Sequence, residues 1–389
     1  MKKIFATALA IFLSQTLFAQ SSLSYSQLME KGAKAEQLGL YDRAIDYFNQ
    51  AVAQDAEAAE PWVAIGLINE KRCHNQQAIQ NFSLAVSLND TMAVAYEHLV
   101  FNYVECGDYD GSKTPGQVAN EQDLYNLTER AIELNPSSAS AYATMALILN
   151  HKKNFTNALT WAKRSLEANP KYPRAYNVLG IIYYNRGNDN DAITQFRKAI
   201  EVDPDNMDAY YNLGVMYTMR NNHETAISYI KKGLQRDPKS VKLYYYLGVA
   251  YIQRGDSQKA VQCYETIIQQ LDSTYTPAYN RLGAIYCGKG DYDKAVAYHQ
   301  KAARIDPSDP ESFKCLGKVN TDRGDYVKAL RNYQKAVQLN DKDHETYCLI
   351  AKLYGKQNNA ARETASYKKA AKLGNKEAQA WMVSRGMAW

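Results

Sequence analysis

The chain has 389 residues, 46% hydrophobic and 22% charged, with ten Pro and 20 Gly. That composition supports a sizeable buried core and excludes a disordered or collagen-like chain. The formal charge is +5, or +3 without Lys2 and Lys3, too little to drive nucleic-acid binding electrostatically.

The chain opens MKKIFATALAIFLSQTLFAQSS. Lys2 and Lys3 form a basic start, and Ile4 to Phe18 is an apolar run interrupted by Ser14 and Gln15, too short for a good membrane span. This predicts a secretory signal peptide over residues 1–19, with Ala19-Gln20-Ser21 as a second cleavage signal. No Cys follows it directly, so a lipoprotein anchor has no attachment residue. The expected location is the periplasm, with release outside the cell as the alternative.

From Tyr25 onward one pattern returns every 34 residues. It reads aromatic-x-x-Leu-Gly-x-x-Tyr, then Ala-x-x-x-aromatic-x-x-Ala, then Pro. Ten copies follow in order: 25–58, 59–92, 93–138, 139–172, 173–206, 207–240, 241–275, 276–309, 310–343 and 344–377. Spacings of three and four place these residues on one stripe of a helix, and each copy holds two such stripes. The turn between them carries Gly-Asn or Gly-Asp, as in Gly187-Asn188 and Gly290-Asp291. Gly accepts the left-handed backbone that ends a helix. Asp203-Pro204 and Asp237-Pro238 stop the second helix. Gly at the eighth place and Ala at the twentieth let the two helices approach closely. One hairpin cannot bury its apolar face, but stacked neighbours can. Copy three runs long through GDYDGSKTPGQVANEQ (107–122), copy seven carries one extra residue near Ser273, and copy ten has Glu363 at the twentieth place, where Ala is expected. Residues 378–389 read as a capping helix over the last hairpin.

The pattern closely resembles the tetratricopeptide repeat, from Tyr25 to the C-terminus, and the stretch AAKLGNKEAQAW is also similar to Sel1-like repeats. The resemblance implies an all-α fold: an α-solenoid, wound as a right-handed superhelix, of ten helix-turn-helix repeats plus a cap. It implies protein partners and a concave groove lined by the first helix of each copy, at its second, fifth, sixth, ninth, twelfth and thirteenth places. The charged residues at those places in copies one to three are acidic, namely Glu30, Glu36, Glu60, Glu70, Glu97 and Glu105, with Lys71 the exception. The centre supplies Arg174, Asn177, Tyr184, Tyr211, Asn212, Lys242, Tyr245 and Tyr246, and copies eight to ten supply Asn280, Arg281, Lys314, Lys318, Lys352 and Lys356, against Glu311, Asp322 and Glu345. Tyr and Arg often dominate binding energy at interfaces. The clamp of Lys, Asn and Arg with which some family members grip a C-terminal carboxylate is incomplete, since Asn177, Ile181 and Tyr246 stand at three of its places.

Chemistry is hard to assemble from the remaining residues. HExxH, GxSxG and Walker signatures are absent. The six Cys include no CxxC and read as buried thiols; His344 and Cys348 share a helix face but are too few for a metal site. Asp108-Tyr109-Asp110 lacks the Gly and Glu that a calcium loop requires. The expectation is a non-enzymatic scaffold or adaptor without cofactor or metal. It would bind an extended or helical segment of a partner protein in envelope assembly, secretion or maintenance. A carbohydrate-binding solenoid and a head-to-tail self-associating protein are the alternatives.

Overall fold

The computed structural model describes residues 23–72, 74–106 and 121–389. Within them the chain forms 21 α-helices and no strand. The predicted leader lies outside the described residues, as does the insertion except for Glu121 and Gln122, which open a helix.

Two compact units divide the chain between Ala209 and Tyr210. In the first, helices pair as hairpins: α1 (Tyr25–Gln37) with α2 (Tyr41–Gln54), α3 (Glu60–Lys71) with α4 (Asn75–Leu88), α5 (Ala93–Glu105) with α6 (Glu121–Leu134), α7 (Ala139–His151) with α8 (Phe155–Ala168), and α9 (Pro173–Asn185) with α10 (Asp189–Val202). The pairing continues with α11 (Met207–Met219) and α12 (His223–Arg236), α13 (Val241–Arg254) and α14 (Ser257–Thr266), α15 (Thr276–Gly288) and α16 (Tyr292–Ile305), α17 (Pro310–Asp322) and α18 (Tyr326–Leu339), and α19 (His344–Lys356) and α20 (Ala360–Lys372). A last helix, α21 (Lys376–Ser384), packs on α20. No helix among the described residues is long and apolar enough to cross a membrane.

The local causes are the expected ones. Pro opens the first turn of α9, α15 and α17, where its missing N–H costs nothing. Gly187 and Gly290 sit in the left-handed region, with φ of 79° and 77°, and Asn221 takes the same place at 57°. The Asp or Asn that closes each second helix does more than precede a Pro. Asp203 Oδ1 accepts from the Asp205 N–H at 3.0 Å, and Asn89, Asp237 and Asp306 do the same for the residue two further on. The side chain thereby builds the turn into the next copy.

Packing explains the eighth-place Gly. A Cβ on Gly180 would lie 2.4 Å from the Phe196 ring, and one on Gly317 would lie 2.4 Å from Tyr333. These rings occupy the twenty-fourth place of the same copy, so the aromatic of the second helix lies directly on the backbone of the first. Copy four has Ala146 at the eighth place and Ala162 at the twenty-fourth, both fully buried. The twentieth-place residues Ala44, Ala78, Ala192, Ala226, Ala260, Ala295 and Ala329 are likewise fully buried.

Two departures are resolved in detail. The extra residue of copy seven is absorbed at the end of its second helix, where Ile267–Leu271 forms a π turn and the Asp272 N–H bonds Ile267 O at 2.8 Å. Helix α21 begins at Lys376, two residues before the expected cap, and its Trp381 stacks on Tyr367 with ring centroids 4.2 Å apart.

Candidate partner-binding face

In the first unit the expected groove residues are largely engaged with one another. The Arg174 guanidinium lies 3.9 Å from the centroid of Phe101 and 3.0 Å from the Glu105 carboxylate. Asn177 is only 7% exposed and donates to Asn206 Oδ1 at 2.9 Å, so it joins copy five to the turn that follows rather than lining a surface. Tyr184 remains on the surface. The acidic places are spent in the same way. Glu36 pairs with Lys71, Glu70 accepts from His98 and Asn102, and Glu97 accepts from Asn135. Most of the expected acidic end is thus engaged by side chains of the same or nearby copies.

The second unit carries an aromatic cluster on its first helices. Tyr211 on α11 meets Tyr246 on α13 edge-to-face, with centroids 4.6 Å apart and hydroxyls 3.2 Å apart. Tyr245 stands perpendicular to Tyr246 and to Tyr275, and its hydroxyl accepts from Arg281 Nε at 2.9 Å. Lys242 Nζ lies 3.9 Å from the Tyr211 ring centroid. The contacts follow a register in which the fifth place of one copy meets the sixth place of the next. Tyr211, Tyr245 and Tyr246 are half-buried, whereas Lys242 and Arg281 are exposed; Asn212, next to Tyr211 on α11, is half-buried.

Beyond Arg281 the face becomes polar. Asn280 donates to Ser312 Oγ at 3.1 Å and accepts from His299 Nδ1 at 3.0 Å. That bond fixes the proton on Nδ1 of His299, whose burial pushes its pKa down to about 4. Lys314 is gathered into an acidic set, 2.6 Å from Glu311 and 3.7 Å from Asp343, while Lys318 is exposed. His344 bonds Asn375 and Cys348 faces Glu377, so these two serve different neighbours.

Two clefts open side by side on this face. One, of about 570 Å³, lies between α15 and α17, with Asn280, Arg281, Cys315, Lys318 and Asp322 in its walls. The other, of about 450 Å³, lies between α13 and α15 and is lined by Val249, Ile252, Tyr264, Arg281, Ile285 and Lys289. Burial raises the Cys315 thiol to about 12 and the Cys287 thiol to about 11, so neither is an activated nucleophile. Tyr264 and His299 were hidden from sequence reasoning because the twenty-fourth place reads as pure packing. The one available signal was that both replace a hydrocarbon ring by a polar one.

The sequence matches four tetratricopeptide-repeat family models. One described as "TPR repeat" covers 182–219 and 317–358, and three described as "Tetratricopeptide repeat" cover 208–240 with 276–309, 229–262, and 126–173. The chain is built from tetratricopeptide repeats. The structure is similar to yeast Tom70, at 14% identity over 93% of this chain and 94% of that one, with a TM-score of 0.56. It is also similar to a tetratricopeptide repeat protein from Parabacteroides merdae, at 19% identity over 62% of this chain and 91% of that one, with a TM-score of 0.48. No curated protein gives a significant match. The likeness to Tom70 establishes the α-solenoid fold. Tetratricopeptide repeats typically serve as scaffolds for protein–protein interaction rather than as enzymes.

Proposed function

We propose that this repeat protein is an exported scaffold or adaptor of the cell envelope, acting in assembly, secretion or maintenance. It holds a segment of a partner protein on the first-helix face of its second unit. The observation that carries this reading is the cluster of Tyr211, Tyr245 and Tyr246 with Lys242 and Arg281. Aromatics whose only task is packing, such as Tyr333 and Phe48, are almost fully buried in these repeats. These three are half-exposed instead, and Tyr245 lines the α15/α17 cleft. Rigid amphipathic rings beside a cation are the usual anchors of an interface. The basic and apolar opening of the chain supports export.

Photo-crosslinking in intact cells tests the reading, with the reactive group at Tyr211 and a control at exposed Lys198 on α10. A discrete heavier band from position 211 alone is expected. The double substitution Tyr211→Ala, Tyr245→Ala should weaken capture of that partner by about tenfold or more while helical content is kept. Unchanged capture refutes this face.

A further inference from the structure

The two clefts share Arg281 and Ala284, and that shared saddle says what kind of segment crosses it. Resting on the proposed function, we infer that the partner segment is acidic and internal to its chain. An apolar side chain fills the α13/α15 cleft, and a carboxylate beside it bonds the Arg281 guanidinium.

The charges support this. Arg281 and Lys289 are the charged residues lining the α13/α15 cleft, and no carboxylate stands there. Arg281 spends only Nε, on the Tyr245 hydroxyl, which leaves both terminal amino groups for a bidentate carboxylate. Lys318, on the far side of the saddle, is in no ion pair among the described residues. The second cleft is lined by four carboxylates, each with a local partner: Glu311 holds Lys314, Asp309 caps α17 and accepts from Ser312, Asp306 accepts from Ser308, and Asp322 accepts from the Cys287 thiol. Positive charge is therefore concentrated on the α13/α15 side of the saddle, where Arg281 and Lys289 face no carboxylate.

A second observation is independent of charge. Tyr264 is fully buried, yet its hydroxyl has no partner, and it reaches the wall of the α13/α15 cleft. A buried hydroxyl without a partner costs free energy that an incoming acceptor recovers. Val249, Ile252 and Ile285 give that cleft an apolar wall, beside Gln253 and Ser257. The segment is internal because Ala284 is small and exposed, so an extended chain passes over it from one cleft into the other. A chain end would fill only one.

The test uses 12-residue peptides displayed within a loop of a carrier protein, so that they have no free end, and selected on the full-length chain. Resynthesised hits with both ends blocked should pair an apolar residue with a neighbouring Asp or Glu. Arg281→Met should weaken them by about 10- to 100-fold. Arg281→Lys, which keeps the charge but not the fork, should fall between. Replacing the peptide's carboxylate by its amide should cost wild-type binding as much and Arg281→Met binding little. Peptides that lose binding with Tyr211→Ala, Tyr245→Ala, yet lack an acidic residue and ignore Arg281→Met, overturn the carboxylate and leave the face intact. Hits that bind only once a free C-terminal carboxylate is restored overturn the internal source. A selection in which no peptide responds to either set of substitutions overturns this inference and the proposed function together.

Discussion

His299 fills the place that Phe48, Phe82, Phe196 and Tyr333 fill in other copies, and it brings a titratable ring into the core. Its ring lies on Gly283, whose added Cβ would meet Nε2 at 2.5 Å, and its Nδ1 proton holds Asn280. Burial lowers its pKa from 6.5 to about 4, against a weaker opposing influence of Glu311. The unfolded chain therefore takes up a proton near pH 6.5 that the folded chain refuses until about pH 4. Stability conferred by the neutral ring is complete above pH 6.5 and falls by about 1.4 kcal/mol per pH unit towards pH 4. Melting curves of the wild type and His299→Phe should thus converge or cross as pH drops from 7 to 5, with the wild type losing more. Parallel curves would show that the imidazole carries no such load. Neither the burial nor the proton's position was legible in the sequence, where His299 is one of six scattered His.

Helices and turns were the most legible level, because Gly, Asn, Asp and Pro act on their own few residues. Copy seven marks where that locality ends. Its extra residue was placed near Ser273, the visible irregularity, but the chain absorbs it earlier as the π turn Ile267–Leu271. A helix accommodates an insertion wherever its i→i+5 bonds keep the flanking side chains in register, and no single residue announces that spot. Ile267 is fully buried and Gln269 is exposed, so the surplus sits on the solvent side. Deleting Gln269 should restore an ordinary helical turn and the 34-residue period. The melting temperature should hold or rise, whereas deleting Gln262, inside α14, should lower it by several degrees by rotating Cys263 and Tyr264 out of the core. Equal losses from the two deletions would mean that the π turn is needed as it stands.

Across the whole molecule each hairpin is held mainly by its neighbours in sequence, and the described residues form two compact units. Nearest-neighbour coupling makes stability a sum of local terms rather than one global transition. Trp62 reports on the first unit and Trp381 on the second, where it stacks on Tyr367. Chains retaining only one of these Trp should unfold in urea at different midpoints, and a single shared midpoint would show that the array melts as one body.

The amino-acid sequence by itself determined the repeat: its period, its two helices per copy, and the first-helix face on which Tyr211, Tyr245 and Arg281 fall. It could do so because small and aromatic residues spaced by three and four act within one hairpin. Tertiary structure alone decided which of those face residues are spent. Glu70 with His98, and Glu105 with Arg174, are joined across about 30 to 70 residues of chain, from one copy to the next or the next but one. A charge read from one copy has no sign of its partner there. Asn177 went inside for the same reason, and Arg281 kept its guanidinium because the neighbouring copies place a tyrosine and no carboxylate beside it.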